Sequence, residues 1–429
     1  MKTDSGSLSA VIGNRRWVVC ALLFFATTIN YMDRQLLSLL KPVLDQELHW
    51  TNAQFGWVNS LFQGAYALSY LGFGWFIDRF GTKIGYAVSI AAWSVAAAAH
   101  ALVNTISGFA VARVALGLGE GGNFPAAIKT VAEWFPKKER AFATTVFNSG
   151  ANVGALIAPA LVPPLALSIG WHGTFLVAGG AGLVWLIFWW IFYEVPSRAR
   201  KLSGAERAYI ESDGDGAVQG EKPLPWRAII GRRQTWAYLL ARILTDPVWW
   251  FFLIWLPDYF KKTRGMDLKT MGLPLVAIYA LVTVLSISGG WTTKWLADRG
   301  WTVTRTRRVS LFVFACCVIP VAVATKLPVW GAVLLIGLAG GAHQAWSATL
   351  FTTVSDVFPR RAVASVIGLG GLMGSLAGMV FPVVCGMVLD AFGGTGYAIL
   401  FGYCSVAYLL AFGLNSLLCP RFDPIEQRA

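Results

Sequence analysis

The stretch ISGFAVARVALGLGEGGNFPAAIK, residues 106–129, decides the fold, because it carries Arg113 and Glu120 inside an apolar segment long enough to cross a bilayer. Seven residues of an α-helix turn through about 700°, roughly 20° short of two full turns, so both side chains point the same way about 10 Å apart. Insertion scales put the cost of each ionised group at about 2.5 to 3.5 kcal/mol. Charges at that depth usually face a bundle interior or a wet cavity and mark an ion or substrate path. The alternative is a structural ion pair that locks two helices together.

The same stretch contains Gly117, Gly119, Gly121 and Gly122, which match the glycine spacing of a dinucleotide-binding motif. That motif requires a preceding strand and a soluble βαβ unit, and the sequence predicts neither. We therefore interpret these glycines as small residues that let a second helix approach closely.

The composition is that of a polytopic membrane protein. Of 429 residues, 56% are hydrophobic and only 13% are charged, and the mean hydropathy is +0.58. Uncharged runs long enough to span the hydrocarbon core recur along the chain. The net charge of +13 does not by itself indicate nucleic acid, because in membrane proteins the position of Lys and Arg matters more than their sum. We expect the lipid bilayer as a partner and no nucleic acid.

Twelve apolar runs predict twelve transmembrane helices, and the one long polar stretch lies between the sixth and the seventh. The predicted runs cover residues 17–40, 54–77, 84–103, 106–129, 141–166, 173–193, 235–260, 272–296, 308–327, 329–352, 362–389 and 393–418. The predicted organisation is a tail at 1–16, an N-terminal six-helix bundle at 17–193, a linker at 194–234, a C-terminal six-helix bundle at 235–418 and a tail at 419–429.

The distribution of Lys and Arg predicts the orientation. Placing both termini and the linker in the cytoplasm puts most of the 35 basic residues on the cytoplasmic side, as the positive-inside rule requires. The apolar run after the N-terminal tail is too long for the core of a signal peptide, so we interpret it as the first retained span.

Acidic and basic residues recur at equivalent loops of the two halves. Asp78 and Arg79 follow the second span within GWFIDRFGTK, and Asp298 and Arg299 follow the eighth within LADRG. The sequence EWFPKKER after the fourth span is echoed by DVFPRR after the tenth. The pattern predicts an all-α fold of two six-helix bundles related by a pseudo-two-fold axis, with the substrate site between them near the midplane. Because an Asp at a helix end with an Arg beside it can clamp neighbouring helices when one side is shut, we assign these four residues to a conformational gate.

These features resemble the major facilitator superfamily over essentially the whole chain, and within it the anion:cation symporter family, with the nearest likeness to bacterial hexuronate transporters. The narrower resemblance rests on NYMDR at 30–34, Arg113 with Glu120, EWFP at 133–136, FN at 147–148 with Gly154 and AP at 158–159, Arg242 with DP at 246–247, and AHQ at 342–344 followed by SDVF at 355–358. The resemblance implies a bacterial inner (plasma) membrane protein that imports glucuronate or galacturonate with protons by alternating access. It also implies that acids in spans one and four take protons while arginines there bind the sugar acid.

Four charged residues of the first half are the main candidates for this work. Arg34 and Arg113 can hold a cargo carboxylate, because a guanidinium presents a planar fork that binds carboxylates bidentately, and two cations in a cavity indicate an anionic cargo. Glu120 and Asp33 are candidates for proton coupling, since a carboxyl that trades an Arg partner for the cargo can load and release a proton near neutral pH. Glu120 is the stronger candidate, because hexuronate transporters do not all keep an acid at the Asp33 position. Na⁺ in place of H⁺ would need oxygen ligands, and no cluster of them is recognisable.

A sugar acid also needs partners for its hydroxyl groups and a face for stacking. The candidates for substrate binding are Tyr31, Gln63, Tyr66, Asn148 and Asn152 in the first half and His343, Gln344, Trp346 and Ser347 in the second. Trp249 and Trp250 are further candidates, although most of the 20 Trp residues belong to the core or to interfacial belts. Arg242 and Asp246, four residues apart, are predicted to satisfy each other as a structural pair, with a gating role as the alternative.

Other classes of function have less support. An enzyme would need a paired nucleophile and base, or ligand-spaced His and Glu, at one depth, and we find neither. A receptor would need a soluble output domain, for which the linker is too short and polar. An ATP-driven pump would need a phosphate-cradling loop, and the sequence contains no motif of that kind. We expect no metal, no cofactor and a monomer. Another sugar acid such as galactonate or glucarate, or another organic anion, stays open as the cargo.

Overall fold

The computed structural model describes residues 13–199, 202–212 and 226–425, and within these ranges the chain is helical and contains no β-strand. The α-helices are α1 (Arg15–Leu48), α2 (Asn52–Phe80), α3 (Thr82–Ala99), α4 (Ile106–Glu120), α5 (Asn123–Trp134), α6 (Lys137–Phe192), α7 (Gly204–Ile210), α8 (Trp226–Ile230), α9 (Arg233–Arg264), α10 (Leu268–Asp298), α11 (Val303–Val318), α12 (Val329–Val357), α13 (Arg360–Phe392) and α14 (Gly396–Leu418). Short 3-10 segments lie at His100–Leu102, Pro196–Arg198, Ile319–Lys326 and Gly393–Thr395.

The long helices account for the predicted spans. Together α4 and α5 fill the fourth span, and α11 with the 3-10 segment after it fills the ninth. The fifth and sixth spans form the single run α6, which is broken at Gly170 (φ 73°, ψ 171°). Because that positive φ is costly for residues with a Cβ, a glycine at this position lets the chain change direction without a loop.

Length and hydropathy alone select six candidate membrane spans within the described residues. Two of them, Phe142–Phe192 and Ser365–Leu418, have 51 and 54 residues and contain two spans each. The helix α4 escapes this measure because it ends after 15 residues. Large apolar side chains such as Trp190 and Ile191 are exposed while charged groups lie inside, which is the arrangement that lipid requires.

The chain divides into two compact units. Unit 1 comprises Met1–Leu37 and Gly64–Gln219, and unit 2 comprises Ser38–Gln63 and Gly220–Ala429. The end of α1 and the start of α2 therefore belong to unit 2, although they precede the predicted linker in the sequence. The boundaries of the bundles, tails and linker given above stay a prediction.

In unit 1, α6 packs closely on α1 through two glycines that lie four residues apart on one helix face. A Cβ at Gly150 would meet the carbonyl oxygen of Phe24, and a Cβ at Gly154 would meet the carbonyl oxygen of Thr28. The backbones of the two helices are thus in direct contact, which small residues allow at membrane helix interfaces. This contact fixes the part of α1 that carries the first charged candidates, Asp33 and Arg34.

In unit 2, α9 is the central helix, with α13 and α14 packed along it, while α10 packs on α12. Large side chains fill the interior of this unit, among them the fully buried Trp255, Tyr259, Trp346 and Tyr408. Residues of α9 and α12 are thereby held side by side, which matters for the second group of polar candidates.

Candidate functional site

The centre of unit 1 is an ion pair between α1 and α4. The Arg34 Nε atom lies 2.6 Å from the Glu120 Oε2 atom, and both side chains are buried. The Arg34 guanidinium also lies 4.8 Å from the ring centroid of Tyr31 and 4.5 Å from that of Tyr66. Two aromatic contacts and one charge-assisted hydrogen bond therefore hold this guanidinium in one orientation. Four residues that were predicted from the sequence are brought together here.

Asp33 and Arg113 complete the charged cluster. Asp33 is 2% exposed and Arg113 is 1% exposed, and Arg113 interacts electrostatically with both Glu120 and Asp33. The Oδ2 atom of Asp33 accepts no hydrogen bond from the described residues. Two guanidinium and two carboxyl groups thus share one buried region, and a polar cargo or a proton arriving there would find a carboxyl oxygen to bind.

Glu120 is the last residue of α4, and this position differs from the sequence interpretation. We expected one continuous helix over 106–129, but a turn at Gly121 and Gly122 separates α4 from α5. The glycines pack as predicted, since a Cβ at Gly119 would meet the backbone of Trp93 and a Cβ at Gly122 would meet the side chain of Ser89. Close approach of α3 thus explains the glycines, and the weak helix propensity of paired glycines explains the break.

The other candidates of the first half lie in different environments. On α6, Asn148 is exposed and Asn152 is partly exposed, so both amides are accessible. On α2, Tyr66 contacts Arg34 as described, whereas Gln63 is buried in the part of the helix that belongs to unit 2. Geometry within unit 1 therefore links Tyr31 and Tyr66 directly to the charged cluster and leaves the role of the three amides as a prediction.

A second polar cluster lies in unit 2. The His343 Nδ1 atom is 2.5 Å from the Tyr408 hydroxyl oxygen, and the His343 ring stacks on Trp249 with centroids 5.4 Å apart and an interplanar angle of 4°. Trp346 is fully buried and packs edge-on against Tyr408, so its position is that of a core residue. Gln344 is partly exposed. This group joins α9, α12 and α14 and offers a histidine, a phenol and an indole face.

Arg242 and Asp246 form the ion pair predicted from their spacing, with 2.8 Å between the Nη2 and Oδ2 atoms. The Arg242 Nη1 atom also donates a hydrogen bond to the Ser347 Oγ atom at 3.3 Å, and the guanidinium lies 4.8 Å from the ring centroid of Phe351. The pair therefore belongs to the same face of α9 and α12 as His343.

A third group was missed by the sequence interpretation. Lys41 and Asp258 are almost completely buried, and their Nζ and Oδ1 atoms are 2.8 Å apart. Lys41 also pairs with Asp45, while Asp258 pairs with Lys262 and accepts a hydrogen bond of 2.5 Å from the Tyr397 hydroxyl. All of these residues belong to unit 2, so the network ties the end of α1 to α9 and α14. The four-residue spacing of Lys41 and Asp45 is the signal that could have revealed it.

The predicted gate is described only in part. The guanidinium of Arg79 lies 5.9 Å from the ring centroid of Trp75, and that of Arg299 lies 3.6 Å from the ring centroid of Trp295. The side chains of Asp78 and Asp298 lie outside the described part of the structure. A gating role for these four residues stays a prediction.

Within the described ranges, no group of three or more His, Cys, Asp or Glu residues could hold a metal ion. The polar groups of the two clusters are arginines, carboxyls, tyrosines and a histidine, which suit an anionic, hydroxyl-rich ligand better than a cation. Among the described residues, these clusters offer guanidinium forks for an anion and carboxyl groups that can carry protons.

Known proteins with similar sequences and structures are membrane transporters. The family model described as Major Facilitator Superfamily matches residues 23–382. The chain is 33% identical over 407 residues to the hexuronate transporter of Escherichia coli (strain K12). The aligned region covers 92% of this chain and 92% of that protein. It is 34% identical over 261 residues to the galacturonate transporter of Dickeya chrysanthemi. That aligned region covers 60% of this chain and 75% of that protein. A solved bacterial homologue of the human lysosomal transporter Spinster has the same fold, with a TM-score of 0.78, 17% identity and coverage of 95% of this chain and 97% of that chain.

Proposed function

We propose that this chain, which belongs to the Major Facilitator Superfamily, imports a hexuronate such as glucuronate or galacturonate together with protons by alternating access. It is an integral membrane transporter and not an enzyme, and the predicted class of twelve helices in two bundles is confirmed. The similarity to hexuronate and galacturonate transporters supports a sugar acid as the cargo.

The observation that carries the proposal is the buried pairing of Arg34 with Glu120 between Tyr31 and Tyr66. A cargo carboxylate that replaces the Glu120 carboxylate can take over the Arg34 fork, with Arg113 as the second cation. The two phenol rings then border the same position and supply stacking faces and hydroxyl groups for a sugar ring. Such a site favours an anionic sugar over a neutral one.

The coupling of cargo to protons follows from this replacement of the Glu120 carboxylate by the cargo carboxylate at Arg34. With Arg34 and Arg113 both engaged by the cargo carboxylate, Glu120 would be an unpaired buried carboxylate, which costs several kcal/mol unless it takes up a proton. Binding of the sugar acid and protonation of Glu120 therefore favour each other, and Asp33 beside Arg113 can add a second exchangeable proton. We assign Glu120 and Asp33 to proton coupling on this basis.

The remaining assignments follow the predictions. Asn148, Asn152, Gln63, His343, Gln344 and Ser347 bind cargo hydroxyl groups, and Trp346 is the aromatic residue of the substrate-binding set in the second half. Both termini lie in the cytoplasm, the protein works as a monomer in a bacterial plasma membrane, and the Asp-Arg sequences after the second and eighth spans form the gate.

Uptake by proteoliposomes tests the proposal. Purified protein is given glucuronate, galacturonate, galactonate and glucarate, each with and without an inward-directed proton gradient. Accumulation of a hexuronate only when the gradient is present supports the proposal. Equal uptake without a gradient would contradict proton coupling, and accumulation of galactonate or glucarate in place of hexuronates would assign the cargo to another sugar acid.

A further inference from the structure

Asn30 is a buried amide of unit 1 to which the proposed function gives no role. It lies on α1 and is completely buried, and neither its Oδ1 nor its Nδ2 atom forms a hydrogen bond within the described residues. Burial of an amide without hydrogen bonds costs free energy, so such a group in a folded protein calls for a physical reason. At membrane depth, polar side chains usually belong to a functional path.

Helical spacing places Asn30 next to the Arg34–Glu120 ion pair. Asn30 and Arg34 are four residues apart and share one face of α1, with about 5 to 6 Å between their Cβ atoms. The Asn30 amide lies beside the Glu120 carboxyl. The Oε2 atom of that carboxyl bonds to Arg34, whereas its Oε1 atom has no hydrogen-bond partner among the described residues. An unbonded carboxyl oxygen and an unbonded amide are therefore neighbours.

The protonation state of Glu120 decides what this amide can do. A carboxylate only accepts hydrogen bonds, so it can use the NH2 group of Asn30 but not the amide oxygen. A protonated carboxyl has one donor and one acceptor, and a primary amide offers the matching acceptor and donor in one plane. Two parallel hydrogen bonds can then form, in surroundings where a hydrogen bond is stronger than in water. Asn30 is thus complementary to the protonated form of Glu120.

The other groups around Glu120 match its protonated form less well. The charged and titratable groups there are Tyr31, Asp33 and Arg34 of α1, Arg113 of α4, and beyond them Tyr66 of α2 and His100 after α3. The two arginines are donors only and favour the carboxylate. The rings of the two tyrosines lie against Arg34. Asp33, with an unbonded Oδ2 atom, is the competing acceptor.

We propose that Asn30 is a positioning residue that receives the protonated Glu120 carboxyl when the cargo takes Arg34. The hydrogen bond from Arg34 Nε to Glu120 Oε2 breaks, and a proton from solvent binds Glu120 Oε1. This O–H group donates to Asn30 Oδ1, while Asn30 Nδ2 donates to Glu120 Oε2. When the cargo leaves, the proton returns to solvent and the carboxylate returns to Arg34. The inference rests on the proposed function and adds the group that holds Glu120 in its proton-loaded position.

Cargo binding measured as a function of pH tests the assignment. The ligand is galacturonate, or the sugar acid of the uptake panel that the wild type accumulates. Asn30→Leu has a similar volume and removes both hydrogen bonds, and Asn30→Ala removes them with less risk to folding. We expect the proton concentration at half-maximal binding to rise by about tenfold in either variant, since one buried hydrogen bond contributes roughly that factor. Asn415→Leu is the matched control, because Asn415 is a buried amide of unit 2 that bonds to the Ala237 carbonyl oxygen, and it should leave this midpoint unchanged.

Infrared difference spectra recorded on cargo addition report the acid itself. Protonation of Glu120 should give a carboxylic C=O stretching band that is absent in Glu120→Gln. Because a hydrogen bond to a carbonyl oxygen lowers its stretching frequency, we expect this band at higher wavenumber in the two Asn30 variants. Asp33→Asn should leave the position of the band unchanged. A band that moves in Asp33→Asn and stays in both Asn30 variants would assign the acceptor to Asp33 and overturn the inference.

The outcomes separate the inference from the function on which it rests. Wild-type binding that does not depend on pH and gives no acid band would overturn the proposed function and the inference with it. A pH-dependent wild type whose band is lost in Glu120→Gln, combined with Asn30 variants that keep the wild-type midpoint and band, would overturn only the inference. A purely structural role of Asn30 predicts this second result together with a lower melting temperature.

Discussion

The Arg34 Nε atom and the Glu120 Oε2 atom lie 2.6 Å apart and join α1 to α4 in the interior of unit 1. Side-chain burial leaves this pair without bulk water to replace either partner. A change in the charge of one partner therefore leaves a buried charge that only the other partner or a ligand can compensate.

Replacing Arg34 by Lys should nearly abolish uptake. An ammonium keeps the charge but loses the planar fork and the contact with the Tyr31 and Tyr66 rings. Loss of a buried charged contact typically costs about 2–5 kcal/mol, which is roughly 30-fold or more in affinity. Cargo affinity measured by equilibrium binding checks this, with Arg305→Lys at the exposed start of α11 as the matched control. An unchanged affinity in the Arg34 variant would remove this residue from the carboxylate site.

Replacing Glu120 by Gln should separate cargo movement from proton movement. The amide keeps the shape and can accept a hydrogen bond from Arg34, but it cannot be protonated in the transport cycle. We expect exchange of labelled for unlabelled cargo to continue while accumulation driven by a pH gradient is lost. Asp33→Asn, tested in parallel, should weaken accumulation less. Proton-driven accumulation that survives the Glu120 change would exclude this residue as the coupling group.

Replacing Asp258 by Asn should destabilise the folded protein by about 3–5 kcal/mol, because Lys41 would lose its buried partner. The double variant with Lys41→Met should be less destabilised than the sum of the two single changes, since the partners are in direct contact. Unfolding in detergent measures both. Additive effects would show that the two side chains do not stabilise each other.

Replacing Gly154 by Ala should destabilise the packing of α6 on α1 by about 1–3 kcal/mol, because the new methyl group would meet the carbonyl oxygen of Thr28. Gly180→Ala in the same helix is the matched control, since no atom lies within 4 Å of a Cβ there. The melting temperature should fall for the first variant and stay or rise for the second. Equal effects would mean that the close contact is not what the first glycine provides.

A pH dependence is expected at the junction of α3 and α6. Lys83 donates a hydrogen bond of 2.9 Å to Glu194, just beyond the end of α6, and this bond lowers the pKa of the Glu194 carboxyl. Because the pKa is lower in the folded than in the unfolded state, the contribution to stability is present above the ordinary carboxyl pKa and is lost as the pH falls through the folded value. The pair is partly exposed, so we expect less than about 1 kcal/mol. Melting curves of wild type and Glu194→Gln should converge on acidification, and a constant difference would contradict the assignment.

The main features of the first cluster could be predicted because charged residues are rare in membrane-spanning segments and are therefore easily recognised there. Arg34, Arg113 and Glu120 stand out in apolar runs, and the helical period places Arg113 and Glu120 on one face of their helix. The partner of each group could not be predicted, since pairing across helices depends on how α1 and α4 pack. Only the structure shows that Arg34 forms an ion pair with Glu120 and that its guanidinium contacts the rings of Tyr31 and Tyr66.

The Lys41–Asp258 network was missed for a physical reason. The predicted first span ends at residue 40, where the apolar run ends, whereas α1 continues to Leu48. A helix need not end where hydrophobicity ends, because backbone hydrogen bonds continue through polar residues. Lys41 thus falls just outside the predicted span, and nothing in the sequence pattern points to it as the partner of Asp258.

The rings of Tyr31 and Tyr66 leave the Arg34 guanidinium little freedom to follow a departing partner, whereas Glu120 sits at the terminus of α4, next to the Gly121–Gly122 turn. Under the proposed function, separation of the two would therefore leave the arginine in place and move the carboxylate. Under the same proposal, protonation of the Glu120 carboxyl would act at the end of α4, where the chain turns into α5.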